Sequence, residues 1–237
     1  MHQYNFRQNS VILQGDTHNN SDIYDAINLR IPEGWDYVQI GDGGWGFGKA
    51  SYAIDNAKSW LDRINKLCQK VDVRCYLLRG NHDNPAVWKL PPIYSNVILV
   101  QDGDIGIFPN GKKVLFVGGG ISVDRYKRKV GIDYWEDEKT SDFDVEECDV
   151  MFSHDCPTSF NHDNDGLIKS YGWYVERDPT LLDVCRLQRS KIDDIVEQSN
   201  VKTILYGHYH NNITQTIDGV DGRCIDINEL YEYNADK

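Results

Sequence analysis

Five short clusters along this chain carry side chains that hold metal ions. They are Gly15-Asp16-Thr17-His18, Gly41-Asp42-Gly43-Gly44, Gly80-Asn81-His82-Asp83, Ser153-His154-Asp155 and Gly207-His208-Tyr209-His210. Carboxylates and imidazoles together suit divalent manganese, iron or zinc better than calcium. Asn81 adds a neutral oxygen donor, which avoids overcompensating a cation's charge. Residues two apart on an extended chain point to the same side, so Asp16 with His18, and His208 with His210, can converge on one pocket. One carboxylate bridging two ions about 3.5–4 Å apart would form a clamp that activates water and holds both oxygens of an in-line displacement.

Each cluster must be carried to a common point, and the surrounding pattern indicates how. Residues 11–14, 37–40 and 75–78 are short apolar runs that read as buried strands ending at polar or glycine-containing turns. Residues 21–30 and 50–70 fit helices between them, the second with Ile54, Ala57, Leu61, Ile64 and Leu67 on one stripe. This β-α-β-α-β rhythm predicts an α/β layer, with the clusters at the carboxyl ends of strands, where such folds place their sites. Strands are also expected at 97–100, 114–118 and in the runs ending at His154 and His208. A helix is expected over 181–198 with Leu182, Cys185, Ile192, Ile195 and Val196 inward, and a hairpin near the carboxyl terminus. Residues 121–149 break the pattern and read as a charged insertion near the site. One domain over 1–237 is the simplest organisation.

Composition limits the partners. The 237-residue chain has a net charge of −12, which disfavours extended duplex nucleic acid and anionic membranes. A polyanionic substrate therefore needs a local positive feature, and two divalent ions outweigh two aspartates and a bridging hydroxide. The six cysteines include no Cys-x-x-Cys pair, so zinc-ribbon and redox-motif readings fail on spacing. No stretch approaches the ~20 apolar residues of a membrane span, and the amino terminus has no signal-peptide core. The expectation is a cytoplasmic protein with reduced thiols.

The ordered set GDxH, GD, GNHD, H and GHxH, running from residue 15 to residue 210, closely resembles the calcineurin-like metallophosphoesterase superfamily. The stretch from Ser122 to Glu138 also resembles a phage- and bacterial-type subgroup. The resemblance implies two facing mixed β-sheets flanked by helices. It implies two divalent ions, manganese foremost, with iron, zinc, nickel or cobalt as alternatives. Asp16, His18, Asp42 and His210 would hold one ion, with Asp42 bridging, and Asn81, His154 and His208 the other. His82 would contact the phosphoryl group and protonate the leaving oxygen, with Asp83 holding its imidazole in the charged form. The implied activity is hydrolysis of a phosphomonoester or phosphodiester by metal-activated hydroxide. Its substrate would be a phosphorylated small molecule, a nucleotide or a phosphorylated macromolecule. The alternative is a metal-stabilised interaction module without turnover.

The chain departs from the protein-phosphatase pattern in two places. The run after Asp42 lacks the aspartate and arginine those enzymes carry, and Asp83 stands where they have glutamate. Phosphate-binding cations must come from elsewhere, and Arg125 and Arg128 are the candidates, since guanidinium binds phosphate in a bidentate way. Trp45 and Phe47 could stack on a base or aryl group, although packing within the loop is the simpler account. His2 and His162 read as surface residues, and residues 162–166 as a turn.

Overall fold

The computed structural model describes residues 1–48, 50–91, 93–160 and 168–237; the turn expected at 162–166, with His162, lies outside them. Strands β2 (Ser10–Gln14), β3 (Asp36–Ile40), β4 (Arg74–Leu78) and β5 (Val97–Leu99) pair in parallel, with α1 (Asn20–Leu29) and α2 (Ala50–Lys70) between the first three. Side chains alternate across this sheet as the strand period requires. Tyr76 and Leu78 of β4 face one core, while Cys75 and Leu77 face Ile23, Ile27, Ala57, Leu61, Ile64 and Leu67 of the helices. The stripe predicted for α2 is thus the one that packs.

A second sheet of seven strands runs in the order β1 (Gln3–Asn5), β6 (Ile105–Ile107), β7 (Lys113–Val117), β8 (Val150–Ser153), β9 (Thr203–Tyr206), β11 (Val220–Cys224), β10 (Thr214–Ile217). Strands β7, β8, β9 and β11 are parallel, and β10 and β11 form the predicted hairpin. Val114 and Phe116, Val150 and Phe152, and Leu205 meet Val11, Leu13, Val38 and Ile40 in the core between the sheets. The outer face packs Leu115, Val117, Met151 and Ile204 against Ile192 and Ile195 of α4 (Leu181–Ser199). Both sheets are mixed and flanked by helices, as expected. The last strand, β12 (Leu230–Asn234), crosses to the first sheet and pairs antiparallel with β2.

The inward face of α4 differs from expectation. Gln188 and Arg189 are buried with Leu181, Ile192 and Ile195, whereas Leu182, Cys185 and Val196 are only half-buried. The reason is what the helix covers. Arg189 donates to the carbonyls of Pro157, Thr158 and Phe160, and Gln188 bonds both the amide and the hydroxyl of Thr140. Irregular backbone under a helix needs donors and acceptors, which leucine cannot supply.

Residues 121–149 contain one 3-10 turn, Arg125–Lys127, and are otherwise irregular. Arg79, just past β4, straps the segment down. Its guanidinium donates to the carbonyls of Asp137, Glu138 and Lys139 and pairs with Asp102 at 3.2 Å, almost wholly buried. Removing one member of a buried pair costs about 3–5 kcal/mol. Arg79→Met is therefore expected to lower unfolding free energy by about 3 kcal/mol, read as a shift of the urea midpoint. A change below about 1 kcal/mol would mean that the strap contributes only what a surface pair does. Among the described residues, no helix is long and apolar enough to cross a membrane.

Candidate metal centre

Because β2, β3 and β4 are parallel in one sheet, and β8 and β9 in the other, their carboxyl ends open toward one edge of the sandwich. All five clusters leave those ends. Backbone bonds stitch the turns together: Thr17 and His18 amides donate to the Asp42 carbonyl, and the Gly207 amide donates to that of His154. The turns are tight enough to exclude side chains. A Cβ on Gly80 would collide with Asp42 and lie 2.8 Å from His154 Nε2, and Gly41 has φ of +99° against the His154 ring. Four of the expected ligands also occupy the left-handed region, with φ of 52° at His18, 56° at Asp42, 69° at His208 and 50° at His210.

The donors form three overlapping groups: Asp16, His18 and His210; His18, Asp42 and His82; and Asp42, His154 and His208. His154 lies at the buried floor, while the His18 and His210 side chains are 30% and 42% exposed at the mouth. Asp16 accepts from the His208 amide at 2.9 Å and faces His210 Nε2 at 3.0 Å. His210 Nε2 is in turn 3.1 Å from His18 Nε2. His154 places Nδ1 at 3.0 Å from the Ile40 carbonyl, which leaves Nε2 facing Asn81 Oδ1 at 3.0 Å and Asp42 Oδ1 at 3.3 Å. Asn81 is oriented by its own amide, which donates to Ser122 Oγ at 3.2 Å. So many lone pairs meet in one small volume that a positive charge must reconcile them, and oxygen and imidazole donors in this mixture fit divalent transition-metal ions.

Without metal, protons do part of that work. Burial opposes charge on His154, but Asp42, then Asp16 and the Ile40 carbonyl, outweigh it and lift the imidazole from its ordinary 6.5 to about 10. Asp42, although buried, is held well below the usual carboxylate range by His154, His82 and His18. The hydrogen bond from His210 to Asp16 raises His210, whereas burial lowers His208. A folded-state value raised above the unfolded one contributes stability that is complete below the unfolded value and is lost progressively as pH rises from the unfolded toward the folded value. Chelator-treated protein is therefore expected to lose stability from pH 6.5 to 7.5, below the range where thiols of the unfolded chain ionise. Saturating divalent metal should remove the trend, because the ion takes the proton's place. Urea midpoints at the two pH values provide the check; a flat metal-free profile would contradict it.

The other expected residues divide. Arg128 enters the centre, with Nη2 2.8 Å from His82 Nε2 while Asp124, Ser122 Oγ and the Asp133 carbonyl hold its remaining nitrogens. Arg125 is instead turned to Asp178 at 2.5 Å and Thr180 at 2.8 Å. Asp83 does not hold the His82 ring: its two oxygens accept from the Gly80 and Trp45 amides, bracing one site turn against the next. Nor is His82 charged by its surroundings. Burial lowers it to about 4, Asp42 opposing and Arg128 and His18 adding to the fall. Trp45 is fully buried, so its part is packing. Ser122 and Glu138 escaped the sequence reading. Glu138 accepts from the Ser122 amide at 2.7 Å and hydroxyl at 2.6 Å, fixing the oxygen that orients Asn81. Nothing in their local sequence separates them from solvated polar residues.

Such a centre at the strand ends of a two-sheet α/β sandwich defines a metal-binding hydrolase. A family model described as calcineurin-like phosphoesterase matches residues 10–212; the chain belongs to that family, which implies divalent metal ions. Among solved structures it is similar to the phosphopantetheinyl hydrolase of Mycobacterium tuberculosis, at 12% identity and a TM-score of 0.42, over 92% of this chain and 90% of that one. None of the curated proteins compared with the chain matches it.

Proposed function

We propose that this chain hydrolyses a phosphate monoester or diester of a small phosphorylated molecule or nucleotide at a centre holding two divalent ions, manganese foremost. The observation that carries this reading is Asp42, which belongs to two of the three donor groups and so can serve two ions at once. Asp16, His18, Asp42 and His210 would hold one ion, and Asn81, His154 and His208 would join Asp42 around the other. Bound there, the ions supply an acidified water and offset charge on the phosphoryl oxygens.

The chain's own residues do the rest. Arg128 donates to His82, and an anionic phosphoryl oxygen is a stronger acceptor than a neutral imidazole. On substrate entry Arg128 exchanges His82 for the phosphoryl group. His82 Nε2 is then free to take a proton beside the new negative charge and pass it to the leaving oxygen. A cleft of about 110 Å³ that includes His208, with Ile121, Leu181 and Leu182 in its wall, offers an apolar surface to the organic part of a substrate. Buried thiols at Cys68, Cys75, Cys148, Cys156 and Cys224 favour a reducing, cytoplasmic setting.

The test is hydrolysis of p-nitrophenyl phosphate and bis-p-nitrophenyl phosphate by metal-stripped protein, re-supplied with manganese. Metal-dependent release is expected, and the ester cleaved indicates monoester or diester chemistry. Stoichiometric metal without turnover of any ester would favour a metal-stabilised interaction module instead.

A further inference from the structure

Phe47 lies in the turn after Asp42, 37% exposed, and its contacts are unusual for an exposed aromatic. Its ring stacks on the His82 imidazole, with centroids 5.1 Å apart and planes 17° from parallel. Trp135 of the 121–149 segment meets the same phenyl edge-on at 5.9 Å, and the Arg128 guanidinium lies 5.4 Å from its centroid. His18 closes on His82 from another direction, edge-on at 4.6 Å. Phe47 is itself held from below. Asp83 accepts from the Trp45 amide at 2.9 Å, and the Asn84 amide donates to the Trp45 carbonyl at 2.7 Å. The residues that follow His82 in sequence thus fix the turn that carries Phe47.

A histidine side chain needs this help. Its terminal torsion is broad and roughly two-fold, so an unconfined ring samples many planes and, within each plane, two flips that exchange nitrogen and carbon positions. The two contacts remove different ambiguities. A stacked phenyl fixes the plane but tolerates either flip, whereas Arg128 Nη2, 2.8 Å from Nε2, selects the flip but holds the plane weakly. When Arg128 turns to a phosphoryl group, the stack alone keeps the imidazole aimed.

We infer that Phe47 is a positioning residue for His82, clamping the imidazole plane through the part of the cycle in which Arg128 is engaged elsewhere. The kinetic half of this inference rests on the phosphoesterase reading; the structural half does not. An aromatic stack is worth a few-fold to about tenfold in an equilibrium, and small misplacements of a reacting group cost up to about a hundredfold in rate. On an alkyl phosphate ester, whose leaving oxygen needs the His82 proton, Phe47→Leu is expected to lower kcat about tenfold while KM changes less than twofold, and Phe47→Tyr, which keeps the stack, to restore it. At a half-exposed position the thermal midpoint should stay near that of the parent.

A second measurement needs no turnover. In chelator-treated protein the His82 ring protons, assigned by their disappearance in His82→Ala, should be shifted upfield by the phenyl ring current. That shift should be lost in Phe47→Leu and kept in Phe47→Tyr. Unmoved His82 resonances together with parental kcat in Phe47→Leu would overturn the clamp. Equal loss in the leucine and tyrosine variants would also overturn it, since the effect would then not come from stacking. If the parent is inert on every ester with metal bound, the phosphoesterase reading fails, and the resonances alone decide whether the clamp exists.

Discussion

Asp42→Asn is expected to fold normally, to bind about one metal ion per chain instead of two and to lose at least about a thousandfold in turnover. The substitution is nearly isosteric. It keeps an oxygen for the His82 amide, which donates to Asp42 Oδ1 at 2.7 Å, so the turn is not released. It removes the charge that two donor groups share. An amide oxygen can replace a carboxylate toward one ion but cannot offset two. Metal content by elemental analysis, circular dichroism and hydrolysis of the preferred ester check the three parts separately. A variant that binds two ions and turns over at the parental rate would end the proposal of a shared aspartate.

His82→Ala should separate rate from metal. His82 occurs in one donor group, whose other members, His18 and Asp42, each belong to a second group as well, so two ions should remain. Turnover should fall by about 10²–10⁴, the contribution of a positioned acid or base. The size of the loss carries the mechanism. p-Nitrophenolate leaves without needing a proton, whereas an alkoxide does not. The variant is therefore expected to lose much more activity on an alkyl phosphate than on p-nitrophenyl phosphate. Equal losses on both would assign His82 to phosphoryl binding and leave the leaving-group proton to another donor.

Much of the frame behind these expectations could be read from local pattern. The runs at 11–14, 37–40 and 75–78 coincide with β2, β3 and β4, because a buried parallel strand is apolar throughout and ends where polar side chains are needed. What stayed hidden depends on partners distant in sequence. The pairing of Leu230–Asn234 with β2 is set by the sheet edge it covers, not by its own composition. Arg125 and Arg128 are equivalent as sequence; Asp178 captures one, while Asp124 and Ser122 aim the other. Asp83 follows His82 directly, yet its oxygens turn to backbone amides, since a tight turn must first satisfy its own donors. The buried Arg79 did leave a trace, a lone cation at the end of the run Cys75–Leu78, where charge is tolerated only with dedicated partners.

The left-handed backbone at His18, Asp42, His208 and His210 has an evolutionary consequence. Each such residue costs roughly 1–2 kcal/mol over a conformation its side chain prefers, and metal held there would help to offset it. A descendant that ceased to bind metal could relieve this backbone cost with glycine or asparagine, most readily at His18 and His208, since glycine at Asp42 would also take away the acceptor of the His82 amide. Ordinary selection for folding would then erase the ligands and work against their return. Retention of all four non-glycine residues in a chain is therefore a mark of continued use, and their replacement by glycine or asparagine, at His18 and His208 first, would be the signature of a relative that kept the fold and gave up the chemistry.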